Sequence, residues 1–119
     1  MRLVLAALLA LVLSACAPAF APQEGAAPGV LLTALPIDGA TTYRVEVEPA
    51  VDRLFLRFVG TDLEANAPEC ELVAGALECI VGEVANFYEV TVGGTVTNDP
   101  TLPYGVVCRA ECYALHINP

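Results

Sequence analysis

Four of the five cysteines in this 119-residue chain stand in two close pairs, Cys70 with Cys79 and Cys108 with Cys112, while Cys16 stands apart at the end of an apolar run. Thiols can pair as disulfides, hold a soft metal ion or cycle between redox states, and spacing separates these uses. Cys108, Cys112 and His116 recur at intervals of four, so on a helix they would form one stripe and offer zinc three of its four ligands. Tyr113, Leu115 and Ile117 alternate as a strand does, which speaks against that helix. The spacing Cys-x3-Cys is also not the Cys-x2-Cys of thioredoxin-like redox sites. Disulfides are therefore the first reading, and four cysteines allow three pairings. The favoured set is local. Cys70 joins Cys79 across a hairpin, and Cys108 joins Cys112 around a three-residue loop, Arg109-Ala110-Glu111. Were residues 108–112 one straight strand, those two thiols would lie about 13 Å apart at roughly 3.3 Å per residue, and both would need partners in the first hairpin.

A second group with chemical potential is Asp62, Glu64 and Asn66, at every second position, followed by Glu69. Hard oxygen ligands so arranged in a loop can bind Ca2+. The segment lacks the central glycine and terminal bidentate glutamate of the twelve-residue calcium loop, so a solvated acidic loop is the simpler reading. Calcium or small-ligand binding by residues 62–69 is the alternative function. Beyond residue 15 the chain has no Ser, Lys, Trp or Met, and its single imidazole is His116. Serine hydrolase and lysine Schiff-base chemistry lose their nucleophiles, and a tryptophan-lined sugar platform is excluded. A non-catalytic protein without a cofactor or a metal is expected.

Where these residues work depends on the start of the chain. Arg2 precedes Leu3 to Leu13, eleven residues without a polar side-chain atom, and Ser14-Ala15 then offer small residues before Cys16. The run is too short for a bilayer span, which takes about 20 residues, and fits a signal-peptide core. Leu13-Ser14-Ala15-Cys16 resembles the lipobox of bacterial lipoproteins. That resemblance implies cleavage before Cys16, diacylation of its thiol and usually acylation of the new amino terminus. Each buried acyl CH2 contributes about 0.8 kcal/mol, so two or more chains hold a protein on a membrane where one does so marginally. Ala17 occupies the position at which such lipoproteins commonly carry Asp for inner-membrane retention, so the resemblance favours the outer membrane where there is one. The expected organisation is a signal peptide over residues 1–15, the lipidated Cys16 with an Ala/Pro/Gly-rich tether over 16–29, and one domain over 30–119. Lipid on Cys16 would place that domain on the cell or outer membrane, facing the periplasm or exterior.

The net charge of the chain is −9, and loss of Arg2 with the signal peptide makes it one unit more negative. Phosphate-rich partners would meet repulsion instead of counterion release, which argues against nucleic acid and against direct electrostatic attraction to anionic lipid. A domain of about 90 residues buries little more than about 60% of its unfolded surface, so disulfides would help it appreciably.

Residues 30–119 read as strands. Val30 to Leu35 is a short apolar run, and Ile37-Asp38-Gly39-Ala40 supplies a turn. From Thr42, Tyr43, Val45 and Val47 alternate with Arg44, Glu46 and Glu48. After Pro49-Ala50, Leu54, Leu56 and Phe58 face one way and Arg53, Phe55 and Arg57 the other, with Phe55 blurring the alternation. Residues 60–69 are expected as a loop. Folding residues 70–81 about Ala74-Gly75 pairs Cys70 with Cys79 in a non-hydrogen-bonded position, where opposing Cα atoms come within disulfide reach. Ala-Gly is not a preferred turn pair, and Glu71 would face Glu78. Phe87 to Val96 forms another strand around Gly93-Gly94, Asn98 to Pro103 a turn, and Gly105 to Ile117 the last apolar segment. Seven or eight short antiparallel strands without a helix after the signal peptide describe an all-β sandwich. Cys70, then Cys79-Ile80-Val81-Gly82-Glu83-Val84 and the alternating run from Tyr88 to Val96, together with Thr42-Tyr43-Arg44-Val45, resembles bacterial immunoglobulin-like repeat domains of cell-surface proteins. The resemblance covers residues 42–97. In two places the pattern differs, with Glu48-Pro49 and Ala85-Asn86 where the family has Asn with Gly and Pro-Gly. It implies an immunoglobulin-like sandwich used as a spacer or an adhesive, protein-binding module, with no catalytic residues to carry over.

Overall fold

The computed structural model describes residues 27–99 and 101–117, so Cys16, the apolar run before it and most of the tether lie outside the described residues. Eight antiparallel strands form: β1 (Val30–Ile37), β2 (Ala40–Val47), β3 (Arg53–Ala65), β4 (Cys70–Val73), β5 (Ala76–Val81), β6 (Phe87–Val96), β7 (Gly105–Cys108) and β8 (Cys112–Leu115). Their hydrogen bonding is continuous because β3 belongs to two layers. Its first part, Leu54 to Val59, pairs with β5, and Arg53 to Leu56 pair with β7. Its second part, from Gly60 to Ala65, pairs with β6. One layer thus runs β1-β2-β6 to the end of β3, and the other runs β4-β5-β3-β7-β8.

The crossing of β3 corrects the expectation of a loop over residues 60–69 for its first six residues, 60–65, while 66–69 form the connection to β4. Thr61 and Glu64 flank a register shift, Asp62 has φ +55°, and the strand continues through it to Ala65. The bend is accommodated opposite by Gly94, at φ +87°, where a Cβ would collide with the carbonyl of Asp62. A bulge that bends one strand into the second layer has no signature in period-two alternation, and the polar residues around it read as a loop. Leu63 still turns inward and is buried.

The inward series are those expected from alternation. Tyr43, Val45 and Val47 from β2 and Val90 and Val92 from β6 meet Leu54, Leu56 and Phe58 from β3, Leu77 and Cys79 from β5, Val107 and Leu115. Tyr43 packs across the layers on Phe58, with ring centroids 4.5 Å apart, and Tyr104 closes the cluster at 5.9 Å from Tyr43. Offset aromatic contacts of this kind add about 0.5–1.5 kcal/mol beyond the area they bury. Naming β1, β2, β3, β6, β7 and β8 as A, B, C, E, F and G, the pairs A–B, B–E, C–F and F–G are those of an immunoglobulin-type sandwich. The hairpin β4–β5 extends the layer beside C, and no separate D strand follows it.

The domain also begins earlier than residue 30. Ala27 is buried, its carbonyl accepts the amide of Val30, and Gly29 accepts from Glu48. Ala27 to Gly29, assigned to the tether by composition, therefore belong to the sandwich.

Candidate functional site

The two cysteine pairs are local. The hairpin turns at Ala74-Gly75, both with positive φ (50° and 84°), as a two-residue type I′ turn requires. Its register pairs Val73 with Ala76, Leu72 with Leu77, Glu71 with Glu78 and Cys70 with Cys79. Cys70 and Cys79 are joined, with Cα atoms 4.0 Å apart. The repulsion between Glu71 and Glu78 is relieved from the other side, where Arg57 Nε lies 3.4 Å from Glu78. Cys108 and Cys112 face each other across the β7–β8 hairpin and are also joined. These disulfides consume the thiols that a zinc or redox reading would need.

The remaining candidates are not brought together. Asp62 and Glu64 lie in β3, Glu64 with its side chain against Gly93, and Glu69 stands beyond the end of that strand. The residues of the calcium alternative are thus divided between β3 and the connection that follows it, and among the described residues no three His, Cys, Asp or Glu side chains converge as a metal site. His116 is exposed between β8 and the bridge that Ile117 makes to Leu32. Tyr88 lies beside the first disulfide, 3.8 Å from Cys70 Sγ; burial, then the nearby Glu69 carboxylate, pushes its phenol up to about 12. Burial does the same for Tyr43. Both phenols are neutral at any ordinary pH.

Two features went unassigned by sequence reasoning. The first is Arg109, which sits inside the Cys108–Cys112 loop and donates to three backbone carbonyls: Nη1 to Pro28 (2.7 Å), Nη2 to Pro49 (2.7 Å) and Nε to Ala50 (3.1 Å). One guanidinium thereby holds Pro28, the β2–β3 connection and the β7–β8 loop together at one end of the sandwich. No carboxylate is involved, so charge patterning could not reveal it. A shallow groove of about 830 Å3 near this end is lined by Glu46, Glu48, Asn86 and backbone groups, and it gathers no catalytic set.

The second feature is an apolar surface on the outward side of the β5-β3-β7-β8 layer. Phe55 stands opposite Ile80 on one side and Val106 on the other, and Val106 stands opposite Ala114. Ile80 is 68% exposed, and a depression of about 420 Å3 opens here between Phe55, Ile80, Val81 and Val106, with Arg53 and Cys108 at one end. Its one signal in the sequence is Phe55, the aromatic residue in an otherwise polar outward series. Comparisons with protein families, with curated proteins and with solved structures give no match to this chain.

Proposed function

We propose that this chain is a lipid-anchored, non-catalytic module of the bacterial cell envelope, in which Cys16 carries the anchor and the sandwich serves as a spacer or binds an envelope protein. The observation that carries this reading is the sequence Leu13-Ser14-Ala15-Cys16 at the end of an eleven-residue apolar run. Two disulfides support it, because such bonds persist in oxidising compartments outside the cytoplasm. The sandwich topology agrees with the resemblance to immunoglobulin-like surface domains. That resemblance is also where the spacer or protein-binding role comes from.

The absence of catalysis follows from the inventory. Acid–base work would rest on His116, tyrosines held neutral or scattered carboxylates, and the cysteine thiols are engaged in disulfides or reserved for lipid. Changing Cys16→Ser should abolish metabolic labelling with a fatty acid and leave uncleaved precursor. Continued labelling of that variant would refute the anchor and remove the reason for placing the domain on the envelope.

A further inference from the structure

One guanidinium among the described residues has no partner there. Arg44 and Arg57 face carboxylates and Arg109 faces carbonyls, whereas Arg53 makes no ion pair or hydrogen bond with the described residues. It stands at the rim of the apolar depression on the β5-β3-β7-β8 layer, in register with Cys108 and two residues from Phe55, about 7 Å along β3. A hollow of about 420 Å3 is of the size that small ligands occupy, about 300–1,000 Å3, and such sites join an apolar lining to a few polar groups that fix orientation. Arg53 is the polar group here. Its guanidinium fork matches a carboxylate, which gives the charged end of the ligand. The net charge of −9 does not bar such an anion, because physiological salt screens exposed charges beyond about 8 Å while a carboxylate on Arg53 is in contact with it.

The floor of the depression decides the rest of the ligand. β3 is paired on both sides here, with β5 and with β7, so its amides and carbonyls are spent on the sheet. Phe55, Ile80 and Val106 add apolar side chains and no donor or acceptor. A polypeptide laid on this floor would lose hydration at its own amides and find no partners for them, which is unfavourable for each group so buried. An alkyl chain has no such groups. Phe55 has Ile80 on one side and Val106 on the other, so apolar contact continues about 4.8 Å to each side of the point where a chain leaving Arg53 meets Phe55. We propose that this depression binds an aliphatic carboxylate of the fatty-acid type, with its chain over Phe55, Ile80 and Val106 and its carboxylate on Arg53. The site goes beyond the envelope role proposed above and is independent of Cys16, since every residue in it belongs to the sandwich.

Photolabelling of the full chain with a decanoate carrying a diazirine at mid-chain tests this. Illumination should attach the probe to Phe55, Ile80 or Val106, as mapped by mass spectrometry, and excess unlabelled decanoate should suppress the adduct. Ile80→Ser, at an exposed position, should abolish it with the thermal melt unchanged. Arg53→Gln should lower the yield about two- to fivefold, the range for an exposed ion pair, and Arg53→Lys should recover part of it. The decanol analogue of the probe should label the parent and Arg53→Gln equally, which separates recognition of the carboxylate from adhesion to the apolar face. No adduct on these residues, an adduct that excess decanoate leaves in place, or an acid adduct that Arg53→Gln leaves unchanged or lowers only as much as the alcohol adduct overturns the site. A yield that falls as protein concentration rises at fixed excess of probe assigns the face to a second copy of the chain. Suppression by an uncharged apolar tripeptide as strong as by decanoate assigns it to a polypeptide, and either result overturns the proposal.

Discussion

Arg109 shows how much one side chain can do without an acidic partner. A guanidinium carries five donors in a planar fork, and here three of them meet carbonyls from separate parts of the chain. Replacing it by Met keeps the aliphatic stem and strands those carbonyls, so Arg109→Met should cost about 1.5–3 kcal/mol, the range for hydrogen bonds to a charged group. Lys has a point charge in place of the fork, and Arg109→Lys should recover less than half of the loss. Urea unfolding of the three proteins reads both effects. Cost equal to that of an exposed substitution would mean that the loops at this end hold one another without Arg109. Along β3, past the stretch paired with β7, Asn98 plays a related part, accepting from the Val59 amide and donating to the Arg57 carbonyl, so that a side chain takes the place of a neighbouring strand.

At the scale of elements, the molecule depends on one hairpin and one bent strand. Closing the loop between Cys70 and Cys79 should contribute about 2 to 3 kcal/mol in the chain-entropy view, a large share of the 5–15 kcal/mol typical of a domain. The double variant Cys70→Ala/Cys79→Ala should therefore melt well below the parent, and non-reducing peptide mapping of the parent should recover the two cysteines in one linked peptide. A link from either to Cys108 or Cys112 would contradict the hairpin. The bend of β3 depends on Gly94, whose positive φ and contact with the Asp62 carbonyl leave no room for a Cβ. Gly94→Ala should destabilise by about 2 kcal/mol or more, from the left-handed backbone and the clash together. Gly39, also at positive φ but with open space around it, should tolerate Ala better. Equal losses at the two sites would show that the bulge is not held from the β6 side.

For the whole molecule, the tyrosines tie stability to alkaline pH. The phenols of Tyr43, buried in the core, and of Tyr88, half-buried beside the disulfide, are pushed up to about 12 from the ordinary 10. The unfolded chain releases these protons from about pH 10, whereas the folded chain keeps them to about pH 12, so the folded state binds more protons across that window. Their contribution is complete below pH 10 and is lost as pH rises toward 12. Spectrophotometric titration should show phenolate from these residues appearing together with unfolding, and Tyr88→Phe should move the alkaline transition upward. Ordinary titration of all four tyrosines near pH 10 with the fold intact would refute the burial of the two.

The alternating series in β2, the start of β3 and β6 were legible from residue type alone, because burial on one face of a pleated strand imposes a period of two that needs no knowledge of neighbours. The Cys70–Cys79 register was legible for a related reason: a two-residue turn sets every pair that follows it, and the pairing counted outward from Ala74-Gly75 is the one the hairpin adopts. The proposed lipid anchor is also read from local sequence, Leu13 to Cys16. Other features depended on contacts between distant segments. The passage of β3 from one layer to the other answers to Gly94 across the sheet, and it makes strand of residues 60–65, the first part of an expected acidic loop. Ala27 to Gly29 are joined to the sandwich in part by Arg109, which reaches the Pro28 carbonyl from eighty-one residues away in the sequence. The apolar row formed by Ile80, Phe55, Val106 and Ala114 comes from four strands and exists only in the assembled layer. Local pattern records what each strand turns inward, but an outward surface is composed by the order in which strands lie side by side, and that order is set by packing.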